Sequence, residues 1–257
     1  MNHSKVTDTE KHIVIDHDGY LTDFKTPNDA TAKQKTPIKI IACGDTSPVR
    51  KLEKKVLEGK STHILGNLKP ILQNADLVFA NLEAVYSNRG VPLDRVPVFR
   101  LNPKAFDIIK EANINVVSLA NNHMFDYGPK AFIDTIELLK KNEISYFGAG
   151  FTHNEALKPL IMEVKGIRLG FIGFRNKEVK GFDDNGVITS QIDADLVYDS
   201  IKGLKQKVDM LVLSLHFGYE YKFYPSPKDV VLCRNFIDAG VDIILGHHPH
   251  YPQGIEK

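Results

Sequence analysis

Five apolar runs in this 257-residue chain each end in a side chain that can bind a metal or move a proton. Residues 38–43 run into Gly44-Asp45, residues 77–80 into Asn81-Leu82-Glu83, and residues 115–120 into Asn121-Asn122-His123. Residues 210–215 run into His216, and residues 241–245 into Gly246-His247-His248-Pro249-His250. Carboxylate and amide oxygens mixed with imidazoles suit Mn²⁺, Fe²⁺ or Zn²⁺ better than thiolate-seeking metals. A carboxylate shared by two such ions lowers the pKa of a bound water and creates a hydroxide nucleophile, so the indicated chemistry is metal-assisted hydrolysis.

Each piece has a plainer reading. Asp45 after a glycine can cap a turn, Asn81 and Glu83 can be a solvated loop, and Asn121-Asn122 can supply left-handed turn conformations. His216 alone can be a hydrogen-bonded core histidine. The run from His247 to His250 is the strongest piece, because three imidazoles in four residues are rare outside metal sites or tags. Asp126 can hydrogen-bond a ligand histidine or cap the helix that begins near Pro129. Arg50, Arg89, Arg95 and Arg100 lie on or near the first two site loops. They can grip an anion in bidentate fashion, although a solvated charged surface is the expected role. Residues 51–60 read as a solvated helix face rather than a nucleic-acid patch.

The elements that must position these groups are strands alternating with amphipathic segments from Pro37 onward, which signals βα units and a layered sheet. Further strands are expected over 160–164 and 168–174, joined by a hairpin at Lys165-Gly166. Several runs are apolar on both faces, as strands covered on two sides should be. In open α/β sheets, ligands bind beyond the carboxyl ends of the strands, where these residues fall. Asn102-Pro103, Gly128-Pro129 and Ser226-Pro227 open helices with the expected caps and first-position prolines. Residues 1–36 form a polar extension with one short hairpin around residues 13–21, and residues 37–257 form one domain.

Composition narrows the function. Apolar content of 42% and charged content of 25% are ordinary for a globular chain. A net charge of +1 argues against a bulk grip on nucleic acid or acidic membranes. No apolar signal-peptide core follows Met1, and no run approaches the roughly 18 residues of a membrane span. Cys43 and Cys233 make no disulfide framework. Cytoplasmic residence is the expectation, and the composition sets no oligomeric state.

The strings CGDTSPVR, ADLVFANLEAVYSNRG, VVSLANNHMFDYG, YFGAG, LSLHFGYEY and ILGHHPHYPQGIE stand in the order typical of CapA-type poly-γ-glutamate capsule synthesis proteins. The chain resembles that family over roughly residues 38–256, and the ANNHxxDYG and GHxPH elements are the most specific. The family in turn resembles calcineurin-like metallophosphoesterases. The resemblance implies a four-layer α/β/β/α sandwich with one or two divalent ions (Mn, Fe or Zn) at strand ends. By motif, Asp45, Glu83, Asn122, His216, His247 and His250 are the implied metal ligands, with Glu83 as the bridging carboxylate. His123 is the implied catalytic residue, steadying a transition state or protonating a leaving group. His248 holds the variable middle position of GHxPH. Asn81, Asp126, His248 and Glu220 are expected behind the ligands or toward substrate, and Tyr221 follows the family pattern.

Departures from the superfamily matter. Ser47 stands where many metallophosphoesterases have histidine, and Asn-Leu-Glu replaces Gly-Asp in the second motif, so one metal site is expected to be weaker, singly occupied or absent. Phe217 replaces a common tryptophan. Another strand is expected after the GHxPH loop, beyond Lys257. The implied function is metal-dependent hydrolysis of a phosphoester or related anionic polymer linkage. A non-hydrolytic accessory of poly-γ-glutamate synthesis or export is the alternative, and a metal-free binding module is a third reading.

Overall fold

The computed structural model describes residues 37–176 and 188–257, together with two strands, His12–Ile15 and Leu21–Lys25, that pair antiparallel. That pairing is the hairpin expected in the N-terminal extension, and the remainder of the extension lies outside the described residues. The first large sheet holds β1 (Ile40–Thr46), β2 (Leu77–Leu82), β3 (Val116–Ser118) and β4 (Ser145–Phe147) in that order, all parallel. The second holds β5 (Leu160–Val164), β6 (Ile167–Arg175), β7 (Met210–His216) and β8 (Ile243–His247). Strands β6, β7 and β8 are parallel, and β5 pairs antiparallel with β6. Lys165 and Gly166 turn that hairpin at φ of 49° and 79°, the left-handed geometry a two-residue connection needs.

Side-chain alternation explains why both sheets are apolar on both faces. In β2, Leu77 and Phe79 join Phe171 and Val212 in one cluster shared by the two sheets. Val78, Ala80 and Leu82 point the other way, into a second cluster with Phe132, Ile136 and Leu139 of helix α1 (Gly128–Lys141). In β7, Met210 and Val212 join the shared cluster, whereas Leu211, Leu213 and Leu215 meet Val197, Ile201 and Leu204 of α2 (Ala194–Lys205). Burying such side chains contributes about 1.5–3 kcal/mol each before entropy is counted. The remaining long helix, α3 (Pro227–Asp238), is capped by Ser226, whose hydroxyl accepts from the Asp229 amide, with Pro227 at its first position.

Three local departures from the sequence reading bear on the site. Strand β1 runs past Cys43 through Asp45, with an irregularity of register between Ala42 and Asp45. A bulge of this kind re-aims the side chain that follows it. Strand β3 is shorter than the apolar run, so Leu119–Asn122 leaves the sheet early. Helix α2 was not foreseen, because the exposed Leu196 and Tyr198 blur its apolar stripe.

Candidate metal centre

The centre is built on two carboxylates delivered by neighbouring parallel strands. Asp45 Oδ1 accepts from Asn81 Nδ2 at 2.7 Å, and its Oδ2 accepts from the His248 backbone N–H at 3.1 Å. Glu83 follows β2 and is 2% exposed. Burial above all, then the charges of Asp45, Glu220 and Asp126, push the Glu83 carboxyl up to about 9. Without a cation beside it, Glu83 therefore keeps its proton at neutral pH.

Imidazoles from the second sheet face these acids. His216 closes β7, with Nδ1 3.1 Å from Asn81 Nδ2 and Nε2 2.8 Å from Asn122 Oδ1. The Asn81 amide can only donate at Nδ1, so the ring proton sits on Nε2 and is donated to Asn122. Burial holds His216 well below its ordinary pKa, reinforced by the neighbouring histidines. His247 closes β8; burial brings it down to about 4 against the opposing pull of Asp45. His248 and His250 sit in a turn at φ of 94° and 56°, outside the usual range for non-glycine residues. That turn places the His248 ring 4.7 Å from the His216 ring and His250 Nδ1 3.3 Å from Asp45 Oδ2.

His123 is held differently. Its Nδ1 lies 2.6 Å from Asp126 Oδ2, and its Nε2 looks toward Glu83 Oε1 at 3.9 Å. Asp126 is fully buried and also accepts from the Phe99 amide at 2.6 Å and from Arg95 Nη2, which bonds the Asn122 carbonyl as well. The Phe99 ring packs on the imidazole with centroids 4.3 Å apart. Asp126 thus braces the histidine rather than capping α1, whose N-cap, Tyr127, makes no side-chain cap bond.

The distances between acids and imidazoles discriminate between a hydrogen-bonded core and a cation site. His216–Glu83 is 3.4 Å, His250–Asp45 is 3.3 Å, His247–Asp45 is 3.7 Å and His216–Asp45 is 3.9 Å. Hydrogen bonds between such groups fall at about 2.7–3.2 Å. Donor atoms that share one ion at about 2.0–2.2 Å stand roughly 3–4 Å apart. Moreover, Glu83 Oε1, both His247 nitrogens and His248 Nδ1 are buried without a hydrogen-bond partner. Each such orphan costs about 1–3 kcal/mol unless something satisfies it. The donor set fits a divalent transition ion.

Asp45, Glu83 and His250 offer donor atoms within 4.8 Å of one another, as do Glu83, His216 and His248, with Asn122 Oδ1 2.8 Å from His216 and His247 3.7 Å from Asp45. Glu220 stands at the rim, 3.9 Å from His250 Nε2. Of the four arginines, only Arg95 bonds to the centre's residues. Arg89 pairs with Asp134, Arg100 covers the Tyr127 ring at 4.1 Å, and exposed Arg50 lies 5.9 Å from the Phe99 ring centroid. Two participants escaped the sequence reading. Asn121, read as a turn residue, is buried and donates to Asn81 Oδ1 and to the Leu82 carbonyl, tying the two asparagine loops together. Arg175 ends β6 in register with His216 and is 1% exposed. Burial, then Arg95, lowers its guanidinium to about 10. The strand-end rule that located the other residues applies equally to Arg175.

The sequence pattern of the family described as bacterial capsule synthesis protein PGA_cap matches residues 39–257, nearly everything that forms the two large sheets. The chain belongs to the PGA_cap family. PGA biosynthesis protein CapA of Bacillus subtilis (strain 168) is 30% identical over 220 residues, covering 83% of this chain and 57% of that protein. Capsule biosynthesis protein CapA of Bacillus anthracis is also 30% identical, covering 83% and 54%. The PGA_cap chain therefore spans about half the length of these curated relatives. Among solved structures, a phosphatase of Mycoplasma pneumoniae superposes with a TM-score of 0.52 at 20% identity, over 84% of this chain and 66% of that one. This likeness establishes a phosphoesterase-like α/β fold. Among the described residues, no helix is long and apolar enough to cross a membrane.

Proposed function

We propose that this PGA_cap chain is a metal-dependent hydrolase acting on a phosphoester or a related anionic polymer linkage in the capsule or polyglutamate context. The observation that carries the reading is the set of acid–imidazole separations of 3.3–3.9 Å around buried, unpaired donor atoms. In this reading Asp45, Glu83, Asn122, His216, His247 and His250 hold one or two ions of Mn, Fe or Zn. A divalent ion in such a site supplies Lewis acidity toward a substrate oxygen and a hydroxide at neutral pH. The rest falls to the protein. Asp126 accepts the Nδ1 proton of His123 and leaves Nε2 facing the centre. When the ring carries a second proton on Nε2, balanced by the Asp126 carboxylate, that proton would pass to a departing oxygen or its charge would steady it. The Phe99 ring and Arg95 keep that pair in place. To bind a cation through Nε2, His216 would give up its hydrogen bond to Asn122 and carry its ring proton on Nδ1, with the Asn81 amide turned to present its oxygen there.

A second reading is a non-hydrolytic accessory of poly-γ-glutamate synthesis or export, supported by the biosynthetic names of the relatives. One experiment separates the two. Untagged protein is loaded with Mn²⁺, Fe²⁺ or Zn²⁺ in turn, its metal is quantified by elemental analysis, and turnover of an aryl phosphate is measured with and without chelator. The hydrolase reading expects at least one ion per chain and chelator-sensitive turnover. Bound metal without turnover of any phosphoester or polyglutamate substrate favours the accessory, and no bound metal overturns the metal centre itself.

A further inference from the structure

Five large aromatic side chains stand exposed on the two segments that flank the histidine turn, and no step of the proposed chemistry uses them. On the loop after β7, Tyr219 and Tyr221 are each 65% exposed, Phe223 62% and Tyr224 84%, and beyond β8 Tyr251 is 41% exposed. Rings of this size bury large apolar areas when they can, so a contiguous group left in solvent marks a contact surface. The rings form a row that begins at the centre. Tyr221 lies 5.7 Å from the His250 ring, Tyr251 lies 6.3 Å from Tyr221 at 85° to it, and Phe223 lies 4.5 Å from Tyr251. The backbone holds this row in place. The Tyr221 amide donates to the Pro249 carbonyl at 2.8 Å and Gln253 Nε2 to the Lys222 carbonyl at 2.9 Å, so the segments are joined twice. Pro225, Pro249 and Pro252 fix their own φ angles, which leaves less freedom to be lost when a ligand binds.

We infer that the row from Tyr221 through Tyr251 to Phe223 is a sugar-binding platform, and that the substrate of the adjoining centre carries a pyranose ring next to its phosphoester. The inference rests on the proposed hydrolase reading and names the organic part of its substrate. One face of a pyranose presents only C–H groups, whose positive hydrogens suit the negative face of an aromatic ring. The right angle between Tyr221 and Tyr251 makes a corner that meets such a ring on its face and at its edge. The rim of a pyranose carries hydroxyls, which need both donors and acceptors. Both are interleaved with the aromatic residues here, as the carboxylate of exposed Glu220, the ammonium of exposed Lys222 and the tyrosine hydroxyls. A bare polyanion fits less well, because Glu220 stands at the inner end of the platform, 3.9 Å from His250 Nε2, and repels it. A phosphoester oxygen held at the centre would set the next ring of the substrate against Tyr221, whose own ring neighbours His250.

The test uses phosphonates, whose carbon–phosphorus bond a phosphoesterase does not cleave. Zinc-loaded protein is titrated calorimetrically with methylphosphonate, phenylphosphonate and the methylphosphonate isostere of glucose 1-phosphate, in wild type, Tyr221→Ala, Tyr221→Phe and Tyr251→Ala. In wild type the glucosyl ligand is expected to bind roughly tenfold more tightly than methylphosphonate, about the worth of two ring contacts. Each alanine variant is expected to cut that ratio by roughly threefold, and Tyr221→Phe to keep it. Because the rings are exposed, zinc content and melting temperature should match wild type, which separates a lost contact from a lost ion or a lost fold. A wild-type ratio near one overturns the platform while leaving the metal centre standing, and so does a ratio that survives both alanine substitutions. Tighter binding of phenylphosphonate than of the glucosyl ligand overturns the sugar assignment in favour of a flat aromatic group. If none of the three phosphonates binds, the proposed centre falls and the platform with it.

Discussion

His123 and Asn122 are adjacent in sequence yet placed for different work. Asn122 Oδ1 lies 2.8 Å from His216 Nε2, among the ligand candidates, whereas His123 is braced by Asp126 and only its Nε2 faces Glu83. His123→Ala should therefore lower kcat by about 10²–10⁴, the usual worth of general acid help, while metal content stays near wild type. Asn122→Ala should lose metal first. Metal content, melting temperature and kcat measured on both variants decide the matter, and unchanged turnover in metal-loaded His123→Ala would remove His123 from the mechanism. His247→Ala and His250→Ala should each weaken metal binding strongly, because both rings stand within 3.7 Å of an Asp45 oxygen. A competitive metal titration that finds wild-type affinity in either variant would show that the ring serves packing instead.

The elements deliver these residues by leaving the sheets at particular points. Between β3 and the Asn121–His123 loop, the chain passes Gly148 at close range. Gly148 has φ of 87°, and a Cβ there would stand 2.7 Å from the Ala120 Cβ. A methyl group at that point is strained by its backbone and collides with the segment that carries Asn121 and Asn122. Gly148→Ala is expected to destabilise the fold by about 1–3 kcal/mol and to weaken metal binding as a secondary effect. Thermal unfolding of the metal-free variant checks the first part. A melting temperature equal to wild type would mean that the loop has slack the structure does not display.

For the whole molecule, the buried titratable groups set a pH dependence that a cation should reverse. Glu83 is raised to about 9 in the fold, so its contribution to stability is complete below its unfolded pKa and is lost as pH rises toward 9. His247 is lowered to about 4, so its contribution is complete above its unfolded pKa and is lost as pH falls toward 4. From roughly pH 6.5, the ordinary histidine value, up to 9, the Glu83 effect acts without opposition from His247. The metal-free protein should therefore lose stability across that interval. A bound cation favours ionised Glu83 and neutral imidazoles, so the gap in melting temperature between loaded and chelated protein should widen with pH. Calorimetric scans from pH 6.5 to 9 test this, with Glu83→Gln flattening the metal-free curve. A gap that stays constant or narrows would place the cation away from Glu83.

Local patterns determined the strands other than the short edge strand β4, the helices opening at Asn102, Gly128 and Ser226, of which Asn102 and Ser226 supply side-chain caps, and the fact that metal-competent residues cluster at strand ends. Those features depend on period, caps and turn chemistry, which neighbouring residues carry. The motif strings likewise carried the family. Tertiary structure decided which loops meet. The His248 amide reaches Asp45 across 203 positions, His216 reaches Asn122 across 94, and Arg95 reaches Asp126 across 31. No local period encodes such pairings, and the first two exist only once two sheets pack through Phe79, Phe171 and Val212 and bring their strand ends to one side. Strand pairing within each sheet, equally non-local, buries Asn121 against Asn81, aligns Arg175 with His216 and sets Glu220 beside His250. Sequence supplied the donors, and sheet-on-sheet packing chose their neighbours by closing a distance that the chain alone leaves open.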